Sequence, residues 1–85
     1  MKEFQYIIKD EMGIHARPAG ELVKAASAFP CDIRLALNGR EADAKRIMAV
    51  MSLGAKRGAE LTVRTDGDRE DEAAAALLKF LEENL

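Results

Sequence analysis

The sequence predicts an α+β fold, a small sheet covered on one face by helices, in the order strand, helix, strand, strand, helix, strand, helix. Three observations carry this expectation. Segments with apolar residues at every second position alternate with segments in which they recur every three or four. An Asn-Gly pair, a strong hairpin signal, stands between two of the strand-like segments. No repeat or low-complexity linker breaks the series, and 85 residues, 48% of them hydrophobic, suffice for a single domain over 1–85 with one core.

Phe4, Tyr6 and Ile8 alternate with Glu3, Gln5, Ile7 and Lys9, which predicts a strand with one buried face. Ala19, Leu22, Val23, Ala26 and Phe29 follow at helical spacing, and Pro30 ends that helix near Ala28. Cys31, Ile33, Leu35 and Leu37 make the clearest strand. Asn38-Gly39 turns it back into a short edge strand over Arg40–Ala44. Ile47–Leu53 is apolar almost all round, with Gly54 placed as a helix stop. Leu61, Val63 and Thr65 alternate as the fourth strand, Asp66-Gly67 turns, and Asp68 is placed to cap a last helix. The buried stripe of that helix is Ala74, Leu77, Leu78, Leu81 and Leu85.

The bulk numbers exclude several classes. A single cysteine, Cys31, allows no internal disulfide, and no metal-ligand motif or cofactor cradle is present. The chain opens directly on strand pattern without a leader-type apolar segment, and its longest uncharged run, Ile47–Ala55, is far below the ~20 residues of a membrane span. A cytoplasmic protein with no membrane insertion is expected. The net charge of -2 and the few aromatic residues argue against a nucleic-acid binder.

The chemistry concentrates in Met12-Gly13-Ile14-His15-Ala16-Arg17-Pro18-Ala19-Gly20, which holds the only histidine. His15 falls at the start of the first helix, where Ser, Thr, Asp or Asn would stabilise better. A choice that costs stability points to function. Pro18 suits the first turn because its missing amide would have had no intrahelical partner. The unpaired amides of Ala16 and Arg17 and the positive end of the helix dipole form a ready anion site. Arg17 adds a forked donor matched to phosphate oxygens. A neutral imidazole has a lone pair able to attack phosphorus, and the donors around it can hold the transferred charge. A general base oriented by a third group, a nucleotide loop and a metal motif are all missing, so accepting and passing on a phosphoryl group is the simplest task.

Gly13-Ile14-His15-Ala16-Arg17-Pro18-Ala19 resembles the active-centre motif of the HPr family, the histidine-containing phosphocarriers of the bacterial phosphoenolpyruvate-dependent sugar phosphotransferase system. The likeness extends through Asn38-Gly39, through Lys45 to Gly54, and to Gly58-Ala59-Glu60-Leu61. It implies an open-faced β-sandwich, a four-stranded antiparallel sheet with three helices on one face (βαββαβα). It also implies a stoichiometric carrier, not an enzyme, that needs no cofactor or metal and works as a monomer. His15 would accept the group, usually on Nδ1, from Enzyme I and pass it to the IIA domains of sugar permeases. Arg17 would neutralise it, the Ala16 amide would bind it, and Pro18 would fix the start of the helix.

Ile47, Met48 and Met51 read equally as core or as an exposed surface, and the resemblance favours a docking patch that includes Lys24, Lys45 and Arg46. Lys45, Arg46, Lys56 and Arg57 could rim it with positive charge, although a solvated cation at Arg46 is also tolerable. Two positions depart from the family's pattern. Arg46 stands where many members carry a serine phosphorylated by a regulatory kinase, and Met12 where many have Ser or Asn. A specialised paralogue for nitrogen control or a single sugar is therefore an alternative, and an adaptor or RNA-binding module without phosphohistidine is a more distant one.

Overall fold

The computed structural model describes all residues, Met1–Leu85. Its elements are β1 (Lys2–Ile7), α1 (Ala16–Ser27), β2 (Asp32–Leu37), β3 (Arg40–Asp43), α2 (Ile47–Ser52), β4 (Glu60–Asp66) and α3 (Glu70–Asn84). The strands form one antiparallel sheet in the order β1-β4-β2-β3. Its register aligns Phe4 with Val63, Val63 with Leu35 and Leu35 with Ala42, so one inward row runs across all the strands. The helices cover that face, with Leu22, Leu77, Leu81 and Val50 fully buried against Ile33, Leu35, Leu61 and Val63. Each such side chain contributes roughly 1.5–3 kcal/mol of burial. No helix is long and apolar enough to cross a membrane.

Asn38 and Gly39 both take positive φ, 50° and 81°, the geometry of the tight hairpin turn expected from that pair. The last helix departs from expectation in two ways. Its buried stripe is Ala73, Leu77, Leu81 and Leu85, and Ala74 and Leu78 are only half-buried. The stripe steps by four residues, and within the run Ala73–Ala76 no change of side chain marks its phase. Asp68 does not cap the helix. Arg69 is the N-cap residue in the left-handed region at φ 62°, without a side-chain cap bond. The turn is closed by Glu70, whose carboxylate accepts the Gly67 amide at 3.0 Å and whose carbonyl accepts from buried Thr65 at 2.9 Å. The Arg69 guanidinium lies 5.2 Å from the Phe29 ring centroid and donates to Glu72 at 2.9 Å.

The connection from β1 to α1 is fixed at several points. The Lys9 and Asp10 amides donate to the Leu85 carbonyl oxygen at 2.6 and 2.8 Å. Asp10 then folds the chain back, its carboxylate accepting the Met12 amide at 3.1 Å and its carbonyl the Gly13 amide at 3.1 Å. Gly13, at φ 67°, passes so close to the segment after α2 that a Cβ there would lie 2.3 Å from the Ala55 carbonyl oxygen and 2.7 Å from Lys56 Cα. Both neighbours are backbone and cannot swing away.

Gly13→Ala should therefore destabilise the protein by about 3 kcal/mol in urea unfolding, combining left-handed strain with overpacking. Gly39→Ala, at a positive φ but with nothing within 4 Å, should cost only about 1 kcal/mol; equal losses would show that the approach at Gly13 relaxes in solution. The Met1 ammonium, 2.7 Å from Glu70, and then the Gly67 amide hold the Glu70 carboxyl below its usual range. A depressed acid stabilises fully above its unfolded value, ~4.3, and loses that contribution as the pH falls through the folded value. Urea midpoints of Glu70→Gln should accordingly fall less steeply than those of the parent below about pH 4, and parallel curves would count against the contact.

Candidate functional site

His15 is the N-cap residue of α1, with extended backbone angles (φ -125°, ψ -170°) and no side-chain cap bond. Its carbonyl accepts the Ala19 amide at 2.9 Å, which is the first bond of the helix. The amides before it should lack acceptors, and Pro18, buried in the first turn, has none to offer. Ala16 and Arg17 are left with amides that no protein acceptor engages. The imidazole is half-buried, neither sealed in the core nor tied up in a cap. Immediately before it, buried Ile14 donates its amide to the Ala55 carbonyl at 2.9 Å, continuing the contact made by Gly13. An accessible ring is thus held at a helix start where free donors and the positive dipole end converge.

Arg17 is the unfixed part of the site. Its side chain is 88% exposed, and its only ionic contact is a loose one, 3.9 Å to Glu21 across one helical turn. That contact is worth little in solvent, so the guanidinium is free to swing toward an anion on His15. Met12 is exposed, and its backbone, not its side chain, makes the local bond, to Asp10.

The six-residue α2 flanks this loop. Ile47 packs toward α1, its Cδ1 lying 3.6 Å from where a Cβ of Gly20 would be. Within α2 only Val50 is buried, whereas Ile47, Met48 and Met51 are 41%, 74% and 36% exposed. The two readings left open for these residues thus resolve toward surface. Lys24 on α1 and Arg46 before α2 are exposed too, Arg46 standing 3.8 Å from Asp43. Lys45 must be corrected. Its ammonium turns inward and donates to the Phe29 and Cys31 carbonyls at 2.7 and 2.8 Å, so it is no part of an exposed cationic rim. Those carbonyls flank Pro30 between α1 and β2, where they need a donor and a lysine stem can reach them.

Some contributors to the site gave little sign of themselves in the sequence. Gly13 was readable as a turn, but Ala55, whose carbonyl receives Ile14, sits in an unremarkable loop. Neither concavity of the surface includes His15. One lies along Ala36, Asn38, Gly58 and Thr62, and the other along Asp32, Arg34, Glu41 and Arg64. A half-buried ring outside any concavity, on a surface that also carries exposed apolar side chains, suits a protein partner better than an enclosed small molecule.

Comparison with known proteins shows the family. Residues 2–83 match the family model described as the PTS HPr component phosphorylation site. The phosphocarrier protein HPr of Mycoplasma genitalium is 46% identical over 85 residues, covering 99% of this chain and 97% of that protein. A solved mycoplasma histidine-containing phosphocarrier is 38% identical, with a TM-score of 0.93 over 96% of this chain and 93% of that one. A dimer of HPr from Thermoanaerobacter tengcongensis is 40% identical, with a TM-score of 0.78 over 98% of this chain and 95% of that one. The chain belongs to the HPr family, the phosphocarriers of the phosphotransferase system.

Proposed function

We propose that this protein carries a phosphoryl group on His15 from phosphorylated Enzyme I to the IIA domains of sugar permeases, acting in the cytoplasm as a monomer and stoichiometrically, not as an enzyme. The observation that supports this most directly is the accessible His15 ring at the start of α1, beside two amides that lack acceptors. In the transfer, the lone pair of a ring nitrogen forms a bond to phosphorus as the bond to the donor breaks and returns its electrons to the donor. The equatorial oxygens move into reach of the Ala16 and Arg17 amides, and the Arg17 guanidinium closes on them from solvent. Handing the group to an acceptor reverses these steps. No cap hydrogen bond holds the ring in the free protein, which suits a carrier that meets different partners in turn.

Ile47, Met48 and Met51 form the apolar centre of the docking face in this reading, with Lys24 and Arg46 as charged margins that speed encounter with acidic partners. Arg46, which has no hydroxyl, removes control by a serine kinase at that position.

With Enzyme I and phosphoenolpyruvate, the protein should acquire one acid-labile, base-stable phosphate, and His15→Ala should acquire none. A His15→Ala protein labelled to the parental level would end the carrier reading. Arg17→Ala should still be labelled, but about 10- to 100-fold more slowly, the worth of one charge-assisted contact. Incubation with ATP and the serine-directed kinase of this family should leave the protein unlabelled; phosphate appearing on Ser52 or Ser27 would place a control point elsewhere.

A further inference from the structure

The apolar residues of α2 are useful for docking only if the helix keeps a fixed position beside His15, and the helix is poorly equipped to fix itself. It has six residues, one of them buried, and Arg46 at its N-cap makes no side-chain cap bond. Isolated helices of this length are not stable. Its C-terminal end is held through the close approach of Ala55 and Lys56 to Gly13. At the N-terminal end the turn is closed by Asp43, whose carboxylate accepts the Lys45 amide at 2.9 Å and whose carbonyl accepts the Arg46 amide at 3.0 Å. This turn is local and ties α2 to the edge strand β3, and the Ala44 amide, donating to the Ile33 carbonyl at 2.9 Å, ties the same segment to β2. The Lys45 side chain adds a side-chain tie that reaches the end of α1 as well, with bonds of 2.7 and 2.8 Å to the Phe29 and Cys31 carbonyls. Phe29 follows α1, and buried Cys31 immediately precedes β2. The ammonium therefore joins the end of α1, the beginning of β2 and the beginning of α2 through charge-assisted bonds.

We infer that Lys45 is a positioning residue for phosphoryl transfer, a brace that sets how α2 presents Ile47, Met48 and Met51 relative to His15. The inference rests on the reading of those residues as the docking face. In this role Lys45 acts through the Phe29 and Cys31 carbonyls and not by contact with partner or phosphoryl group. Its loss should thus weaken encounter while sparing the transfer step, and the effect should resist salt because no exposed charge is involved. A rim cation such as Arg46 should behave oppositely, its effect fading as salt screens it.

Phosphorylation by Enzyme I and phosphoenolpyruvate, followed as a function of carrier concentration, tests this in Lys45→Met, Lys45→Arg, Arg46→Met and Met48→Ala. Lys45→Met is expected to raise KM roughly tenfold, the effect of about 1.4 kcal/mol, with kcat within about twofold. Lys45→Arg, which keeps donors and charge, should recover most of that loss. The increase should persist in about 0.5 M salt, where that of Arg46→Met should disappear. Amide exchange of Ala49–Leu53 should quicken in Lys45→Met while that of β4 stays unchanged. An unchanged KM in Lys45→Met, or an increase abolished by salt, overturns the brace. Should Lys45→Met fail to fold, a tenfold KM increase in folded Lys45→Arg with full-strength salt dependence would overturn it equally, and parental KM with unchanged α2 exchange there would support it. If Met48→Ala leaves KM unaltered, the docking reading fails instead.

Discussion

The site depends on a contact between two stretches of backbone. Because residue 13 has no side chain, the loop after β1 lies directly on the Ala55–Lys56 segment, close enough that Ile14 can donate to the Ala55 carbonyl. That single approach does two things. It fixes the residue before His15, so the ring emerges at the first turn of α1 and not somewhere along a free loop. It also holds the segment that leaves α2, so the exposed apolar side chains and the histidine belong to one rigid neighbourhood. A methyl group at position 13 would push the two backbone segments apart.

The neighbourhood combines fixed and unfixed parts. The amides of Ala16 and Arg17 are oriented by the helix itself and need no rearrangement to receive an anion, which is where electrostatic preorganisation is most effective. The Arg17 guanidinium is exposed and loosely paired, which leaves it free to move as the proposed transfer requires. Placing histidine at the N-cap gives up roughly 1 kcal/mol that Ser or Asp would have supplied. The two amides thereby left without acceptors are the same groups on which the proposed transfer relies, so in that reading the stability forgone and the binding capacity have one origin.

Much of the architecture was legible locally. Alternation in Phe4–Ile8, Cys31–Leu37 and Leu61–Thr65 marked the inward faces, and Asn38-Gly39 marked the hairpin, because each signal depends only on neighbouring residues. The strand order β1-β4-β2-β3 was not legible, since it depends on pairings across the length of the chain that leave no local trace. The phase of α3 was lost in a run of alanines that look alike on every face. Asp68 looked like a cap because side-chain type alone cannot tell it from Glu70, which reaches the Gly67 amide. The place of His15, Arg17 and Pro18 at the start of α1 was legible because their types conflict with, or specifically suit, a helix start. Lys45 could not be read correctly, because a lysine that donates to two carbonyls and one that faces solvent are spelled the same way.

The central claim is that the backbone at the start of α1 receives the phosphoryl oxygens. Amide 1H–15N spectra of the free and phosphorylated protein test it most directly. The Ala16 and Arg17 amide protons should show the largest downfield movement, as expected of donors gaining a charged acceptor, with β2 and α3 unmoved. Unchanged Ala16 and Arg17 resonances in a protein phosphorylated on His15 would contradict the account.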